Sequence, residues 1–346
     1  MRQLGPWLIG QGKHGIIVDP RSTLRTSDVS FPGGDRPDFP NAPTLAPMEI
    51  RPFRLPLKVP FRGLTERRGA LVRGALGWGE FAPFDDYGQQ ADTRWLDCAK
   101  EQANHGWPPP VRTEVAVNAI IPAVAPELAA NMAVASGCTT IKIKVGDAQG
   151  FERVAAVRAA LPEANLRVDG NGIWTLAEAV EHLSALRPLD LEYAEQPVRS
   201  YDDMARLRAA VDVPLAADEL IRIDRRFDDV RHVADVAVLK VPTLGGVAST
   251  LHVAARIGLP VVISSALDTS LGLAAGLAAA CALPEAPLAC GLGTGALFAA
   301  DSTEPLLPED GRMTLRTYPQ PRADLLSVRS DVAYWRGRLT AANRAG

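Results

Sequence analysis

Lys144, Asp169, Glu195, Asp218 and Lys240 each close a short apolar, β-branched run, and each follows the one before by about 25 residues. In a chain of repeating β/α units that spacing is one unit per step, which sets the five side chains at one rim of a single barrel. Three carboxylates between two lysines make a site for a hard divalent cation and a carbon acid.

Lys142 and Lys144 fall on one face of a strand, opposite Ile141, Ile143 and Val145. Pointed inward, two neighbouring ammonium groups lower each other's affinity for protons and make one of them a base near neutral pH; pointed outward, they are a solvated strand end. Asp169 and Asn171 stand in Val168-Asp169-Gly170-Asn171-Gly172, which is also the composition of a tight turn. Glu195 and the pair Asp218-Glu219 are harder to assign to turns. Each puts an acid at the carboxyl end of a buried strand, where an isolated charge is costly and where barrel enzymes build their sites. Together Asp169, Glu195 and Asp218 supply oxygen ligands for Mg²⁺, with positions left open for a substrate carboxylate. Lys240, on the sixth strand of a ring of eight, faces Lys144 on the second.

The elements that must position these residues are apolar runs at Val115–Ile121, Ile141–Val145, Leu166–Asp169, Leu191–Glu195, Pro214–Asp218, Val236–Lys240, Pro260–Ser264 and Leu288–Leu292. Helical patterns such as Gly150–Leu161, Leu176–Leu186 and Val247–Ile257 lie between them. The fold class is α/β. Strands apolar enough to be covered on both faces favour a closed parallel barrel over a doubly wound open sheet.

Upstream, Glu49 to Arg112 shows strand-like pieces at Ile50–Leu57, Ala70–Gly74 and Gly77–Glu80 and a helix near Ala91–Gln102, then ends in the stiff Trp107-Pro108-Pro109-Pro110. The repeat stops after Phe298, and residues 300–346 are expected to return to the first segment. The boundaries are therefore 48–112, completed by 300–346, and 113–299. Residues 1–47, punctuated by six prolines from Pro20 to Pro47, read as an extension or linker, with Met48 as an alternative start.

The 37 Lys and Arg and 40 Asp and Glu leave a formal charge of −3 without long runs of one sign, which points to neither nucleic acid nor a membrane as partner. Leu271 to Leu283 is too short to span a bilayer and reads as a buried helix. Cys98, Cys138, Cys281 and Cys290 form no C-x-x-C pair, and no leader pattern opens the chain; both favour the cytoplasm.

With these motifs the chain resembles the enolase superfamily in its muconate-lactonizing-enzyme subgroup: Lys142-x-Lys144, Asp169-x-Asn171, Glu195, Asp218-Glu219 and Lys240 match. Within the subgroup it is similar to the actinobacterial type of o-succinylbenzoate synthases, through Pro60-Phe61-Arg62-Gly63-Leu64-Thr65, Gly77-Trp78-Gly79-Glu80-Phe81, Val238-Leu239-Lys240-Val241, Ser264-Ser265-Ala266-Leu267-Asp268 and Cys290-Gly291-Leu292-Gly293-Thr294-Gly295. The resemblance implies a (β/α)₇β TIM-like barrel under an α+β capping domain. It also implies Mg²⁺-dependent dehydration of a small carboxylate, 2-succinyl-6-hydroxy-2,4-cyclohexadiene-1-carboxylate, to 2-succinylbenzoate in menaquinone biosynthesis.

On that reading Lys144 takes the proton and returns it to the departing hydroxyl, Lys240 stays charged on the opposite face, and Lys142, Asn171 and Glu219 orient the ligands. Ser264, Ser265 and Gly291 line the succinyl side or serve only close packing, and Arg62 meets the second carboxylate or stands free. The rivals are an N-succinylamino acid racemase or dipeptide epimerase on the same site, and a non-catalytic barrel kept as a binding protein. The sequence leaves the oligomeric state open.

Overall fold

The structure, a computed structural model, describes residues 49–316, 319–322 and 331–345, so the extension read at 1–47 lies outside the described residues. β1 (Ile50–Phe61) and β2 (Leu64–Arg73) form an antiparallel hairpin turned by Arg62 and Gly63, both at positive φ, the backbone that a two-residue turn between right-twisted strands requires. β3 (Trp78–Phe81) pairs with β2, and α1 (Gln89–Asn104) lies against this sheet. Gly79 allows the contact: a Cβ there would stand 2.0 Å from the carbonyl oxygen of Ala99 in α1.

From β4 (Glu114–Ala116) onward the β/α alternation takes over. β5 (Ala119–Ile121), α2 (Pro126–Ala135), β6 (Thr140–Lys144), α3 (Gly150–Ala160), β7 (Asn165–Asp169), α4 (Leu176–Leu186), β8 (Leu191–Glu195) and α5 (Tyr201–Ala210) make the first half. β9 (Leu215–Ala217), α6 (Val230–Val233), β10 (Val236–Lys240), α7 (Val241–Leu244), α8 (Val247–Ile257), β11 (Val261–Ser264) and α9 (Ser270–Ala282) make the second. The seven strands from β5 to β11 form one parallel sheet in chain order. Period-two alternation sorts their side chains: Ile141, Ile143, Leu166, Val168, Ala237 and Leu239 join the main core, while Tyr193, Ala216, Val236, Val238 and Val262 form a separate cluster. Lys142, Lys144, Asp169 and Glu195 stand at the alternate positions, opposite the main core.

Two expectations from the sequence change. The run Val115–Ile121 is not one strand: β4 pairs antiparallel with β12 (Arg312–Thr314), and only β5 enters the parallel sheet. The break falls at Asn118, whose buried amide donates to the carbonyl of Ala119 and accepts from Arg167. Leu288–Leu292 is not a ladder strand either. Its backbone bonds Ile263 and Ser265 beside β11 and also Ala116 and Asn118 beside β5, so both edges of the sheet meet on one short segment. Pro287 before it and the tight turn Gly293–Leu297 after it leave too little extended chain for more.

α10 (Val332–Ala345) packs against α1 and β1. Trp335 and Leu339 are buried with Phe53, Leu55, Trp95 and Leu96, and Arg338 grips Asp92 through both carboxylate oxygens at 2.6 and 2.8 Å. Two buried carboxylates from the first segment cap later helices. Glu101 accepts from the N–H groups of Val247 and Ala248 at the start of α8, and Glu80 from those of Thr269 and Gly272 at the start of α9. Burial pushes Glu101 up to about 7, and burial with Asp268 nearby pushes Glu80 up to about 8. The stretch read as a buried helix is α9, and all four cysteines are buried and unbridged. Among the described residues no helix is long and apolar enough to cross a membrane.

Because the atoms facing Gly79 belong to the backbone of α1, they cannot swing aside. Gly79→Ala should destabilise the protein by about 1–3 kcal/mol, read as a drop of several degrees in Tm. An unchanged melting curve would show that β3 and α1 can separate freely.

Candidate active site

The inward side chains of β6 to β10 converge at the carboxyl ends of the strands. Asp169 and Glu195 are direct partners in the pairing of β7 with β8, Lys144 is the partner of Asp169 across β6 and β7, and Glu195 lies opposite Ala216, two residues before Asp218. Lys142 Nζ donates to Asp169 Oδ2 at 3.1 Å and to the two oxygens of Glu195 at 3.0 and 2.9 Å. Lys144 Nζ donates to Asp169 Oδ2 at 2.8 Å and to Asn171 Oδ1 at 2.6 Å. On the far side Lys240 Nζ meets Asp218 Oδ2 at 2.5 Å. One pocket is lined by Arg62, Lys142, Lys144, Asp169, Asn171, Glu219, Lys240, Ser264 and Ser265; Glu195 and Asp218, both fully buried, lie behind its wall.

Electrostatics divide the acids. Burial raises the affinity of Asp169 for a proton, but Lys144 and Lys142 outweigh it and hold the carboxyl well below its usual range. Asp218 is likewise held down against its burial by Lys240 and Arg222. Glu195, buried and beside the charges of Asp169 and Asp218, rises to about 7 even with Lys142 on it. The expectation that neighbouring ammonium groups bring a lysine toward neutral pH is reversed for Lys142 in this arrangement. Its burial favours the neutral amine, yet Glu195 and Asp169 overcome that and keep it firmly charged. Burial also opposes the charge on Lys240, which Asp218 and Glu219 restore and strengthen.

The donor set suits a hard divalent cation by chemistry, since all three acids offer carboxylate oxygen and one of them is left short of positive charge. As the side chains stand, ammonium groups occupy the oxygens such an ion would take. Among the described residues no group of three His, Cys, Asp or Glu is arranged to hold a metal.

Asn171 serves both readings of its motif: it takes a positive φ of 51°, its N–H donates to Asp169 Oδ1, and its side chain still reaches Lys144. Ser264 reaches the pocket, but the Ser265 hydroxyl is held by Asp268 at 3.0 Å in a local turn. Gly291 packs on Ser264, where a Cβ would come within 2.4 Å of Oγ, and is absent from the pocket wall. Arg62 is at the pocket mouth, stacked over Phe84 and bonded to the Tyr87 hydroxyl.

Three contributors escaped the sequence reading. Gln196, at positive φ, accepts from the N–H groups of Asp218 and Leu220 and so ties the end of β8 to that of β9. Arg67 donates to the carbonyls of Leu267 and Ala82 and holds the turn below Ser265. Arg222, one turn beyond Asp218, lines the pocket beside Glu219. Only Arg222 had a signal, its i+3 and i+4 spacing from two acids.

Residues 125–319 match the family described as enolase C-terminal domain-like, and residues 53–103 match that described as enolase N-terminal domain-like. The o-succinylbenzoate synthase of Thermobifida fusca is 49% identical over 309 residues, covering 86% of this chain and 97% of that protein. The one from Mycobacterium tuberculosis is 47% identical over 294 residues, covering 81% and 90%. A solved structure, N-succinyl Arg/Lys racemase from Bacillus cereus, aligns with a TM-score of 0.69 over 80% of this chain and 95% of that chain; at 21% identity it shows likeness of fold alone.

Lys142 is the cation that Glu195 depends on, so Lys142→Met should raise the pKa of Glu195 further. A carboxyl whose folded pKa is raised contributes stability that is complete below its ordinary pKa and is lost as pH rises through the folded value. In chelator, the deficit of Lys142→Met against the unsubstituted protein should be smaller near about pH 5, where the loss falls on Asp169, and reach about 3–5 kcal/mol near about pH 8, where charged Glu195 adds to it, by urea unfolding. Equal deficits at both would remove Glu195 as its cause.

Proposed function

We propose, for a chain that belongs to the enolase superfamily, that the two lysines facing each other over three buried carboxylates divide the work of one dehydration. The activity is that of an o-succinylbenzoate synthase, a lyase: 2-succinyl-6-hydroxy-2,4-cyclohexadiene-1-carboxylate loses water to give 2-succinylbenzoate, a step of menaquinone biosynthesis. The observation that carries this reading is the convergence of Lys144 from β6 and Lys240 from β10 on one pocket wall. The finer architecture we infer is a (β/α)₇β barrel of residues 113–299, closed through 288–291, under a capping domain of 48–112 completed by 300–346.

Asp169, Glu195 and Asp218 would hold the divalent cation, Mg²⁺ by the chemistry of its oxygen ligands. Bound there, the ion supplies positive charge to the substrate carboxylate as the neighbouring carbon gives up its proton. Lys144 takes that proton, the electron pair moves into the ring, and the C–O bond breaks on the same face. Lys144 then returns the proton to the leaving hydroxide, so water departs and the ring becomes aromatic. Lys240, kept charged by Asp218 and Glu219, steadies the delocalised anion from the other face. Lys142 and Asn171 hold Asp169 and Lys144 in place. Arg62 and Ser264 are the groups on the wall suited to the succinyl arm. Racemization on this site draws only on a likeness of fold, and the retained lysines and acids weigh against a non-catalytic barrel.

Purified protein with Mg²⁺ and the cyclohexadiene substrate should yield the aromatic product, followed by its absorbance. Lys144→Ala should lose about 10²–10⁴-fold in kcat. Asp169→Asn, Glu195→Gln and Asp218→Asn should each weaken Mg²⁺ binding, measured by titration calorimetry, while the protein stays folded. Rapid dehydration by Lys144→Ala would refute the mechanism, and undiminished Mg²⁺ affinity in all three acid variants would refute the ligand set.

A further inference from the structure

The Asp85–Tyr87 turn has no buried residue of its own; away from the pocket, exposed Asp85 accepts from Arg338 at 2.6 Å and from the Tyr334 hydroxyl at 3.1 Å on α10. Toward the pocket its hold is the Tyr87 ring, which packs on Phe84 and Trp95 and lies 4.6 Å from the guanidinium of Arg222. The Tyr87 hydroxyl accepts from Arg62 at 2.8 Å. Arg222 belongs to the segment after β9, so this stack joins the first segment of the chain to the parallel sheet.

From Arg222 the contacts continue along the pocket wall. Its Nη2 donates to Glu219 Oε1 at 2.8 Å, the same oxygen lies 3.5 Å from Asn171 Nδ2, and Asn171 Oδ1 accepts from Lys144 at 2.6 Å. An ammonium has only donors, so Lys144 fixes the Asn171 amide with its oxygen inward and its nitrogen toward Glu219. A purely structural ion pair would be saturated, but this one is not: buried Glu219 Oε2 and Arg222 Nε have no hydrogen-bond partner, although Nε faces Asp218 Oδ1 at 3.4 Å.

We infer that Arg222 is a positioning residue that ties the Tyr87 turn over the pocket to Lys144, so that seating of the turn and placement of the base are one event. Arg222 holds Glu219, Glu219 orients Asn171, and Asn171 fixes the Lys144 amine. With the turn away, Arg222 loses one face of its packing and this chain slackens at its far end. The inference rests on Lys144 being the base.

The test combines kinetics with hydrogen–deuterium exchange of the peptide spanning residues 84–88. Arg222→Gln and Tyr87→Leu should each speed exchange there by about tenfold and lower kcat by about tenfold, with KM changed by less than about threefold. The double variant should be no more than about twofold worse than either, because the two residues act as one unit. Tyr87→Phe, which keeps the ring, should retain the slow exchange. If Arg222→Gln does not fold, Arg222→Lys keeps a charge beside Glu219 without the planar stack and should show the same faster exchange. Unchanged exchange in the folded Arg222 variant, or losses in kcat that multiply in the double variant, would overturn the inference. An unsubstituted protein that forms no aromatic product would overturn the Lys144 end of the chain with the function itself, while exchange at 84–88 still judges the tie of Arg222 to Tyr87.

Discussion

Carboxylates buried side by side cannot all keep their charge unless cations are buried with them. Asp169, Glu195, Asp218 and Glu219 impose that condition, and Lys142, Lys144, Lys240 and Arg222 meet it. The cations come from different strands and turns, so charge balance fixes how those strands are set against one another. A slip of one residue in β6 would bring Ile143 to face Asp169 and leave the acid without its lysines. The match is uneven, because Glu195 shares Lys142 with Asp169, Asp169 and Asp218 have closer cations, and Glu219 Oε2 has no hydrogen-bond partner. Positive charge is therefore thinnest at Glu195 and Glu219, whose affinities for a proton both rise with burial and with the charge of neighbouring acids.

The frame around these charges is held in conformations that few residues adopt without support. Arg62, Asn171, Gln196 and Leu267 all take positive φ, and each stands at the end of a strand or in the turn after it, at or beside the pocket. Each also has a compensating hold: the hairpin for Arg62, Asp169 for Asn171, two amide donors for Gln196, and Arg67 on the carbonyl of Leu267. Strain of this kind persists only where the surroundings over-determine it.

What could be read in the chain is what depends on near neighbours. Alternation along β6 and β10 and the recurrence of acids at strand ends pointed to lysines and acids on one face of the sheet, because side-chain direction is fixed by the strand itself. The split between β4 and β5 was hidden, since Asn118 breaks the run only by meeting Arg167 from another strand. The last apolar run looked like a strand for the same local reasons that made the others strands, yet it is confined between a proline and a tight turn. The direction of the Lys142 pKa was misread because spacing shows the like charge two residues away and conceals the carboxylates across the sheet.

The caps on α8 and α9 are made from β3 and α1, and α1 in turn is covered by α10. A ribosome delivers these pieces in an order that does not suit them. Phe53, Trp95 and Leu96 emerge early, and the Trp335 and Leu339 that share their core emerge last. The first sheet must then wait, incompletely covered, while the whole β/α repeat is synthesised, and the later helices finish on carboxylates made long before. Such a chain cannot complete its folding from one end to the other, and its nascent form carries exposed aromatic surface until α10 has been made.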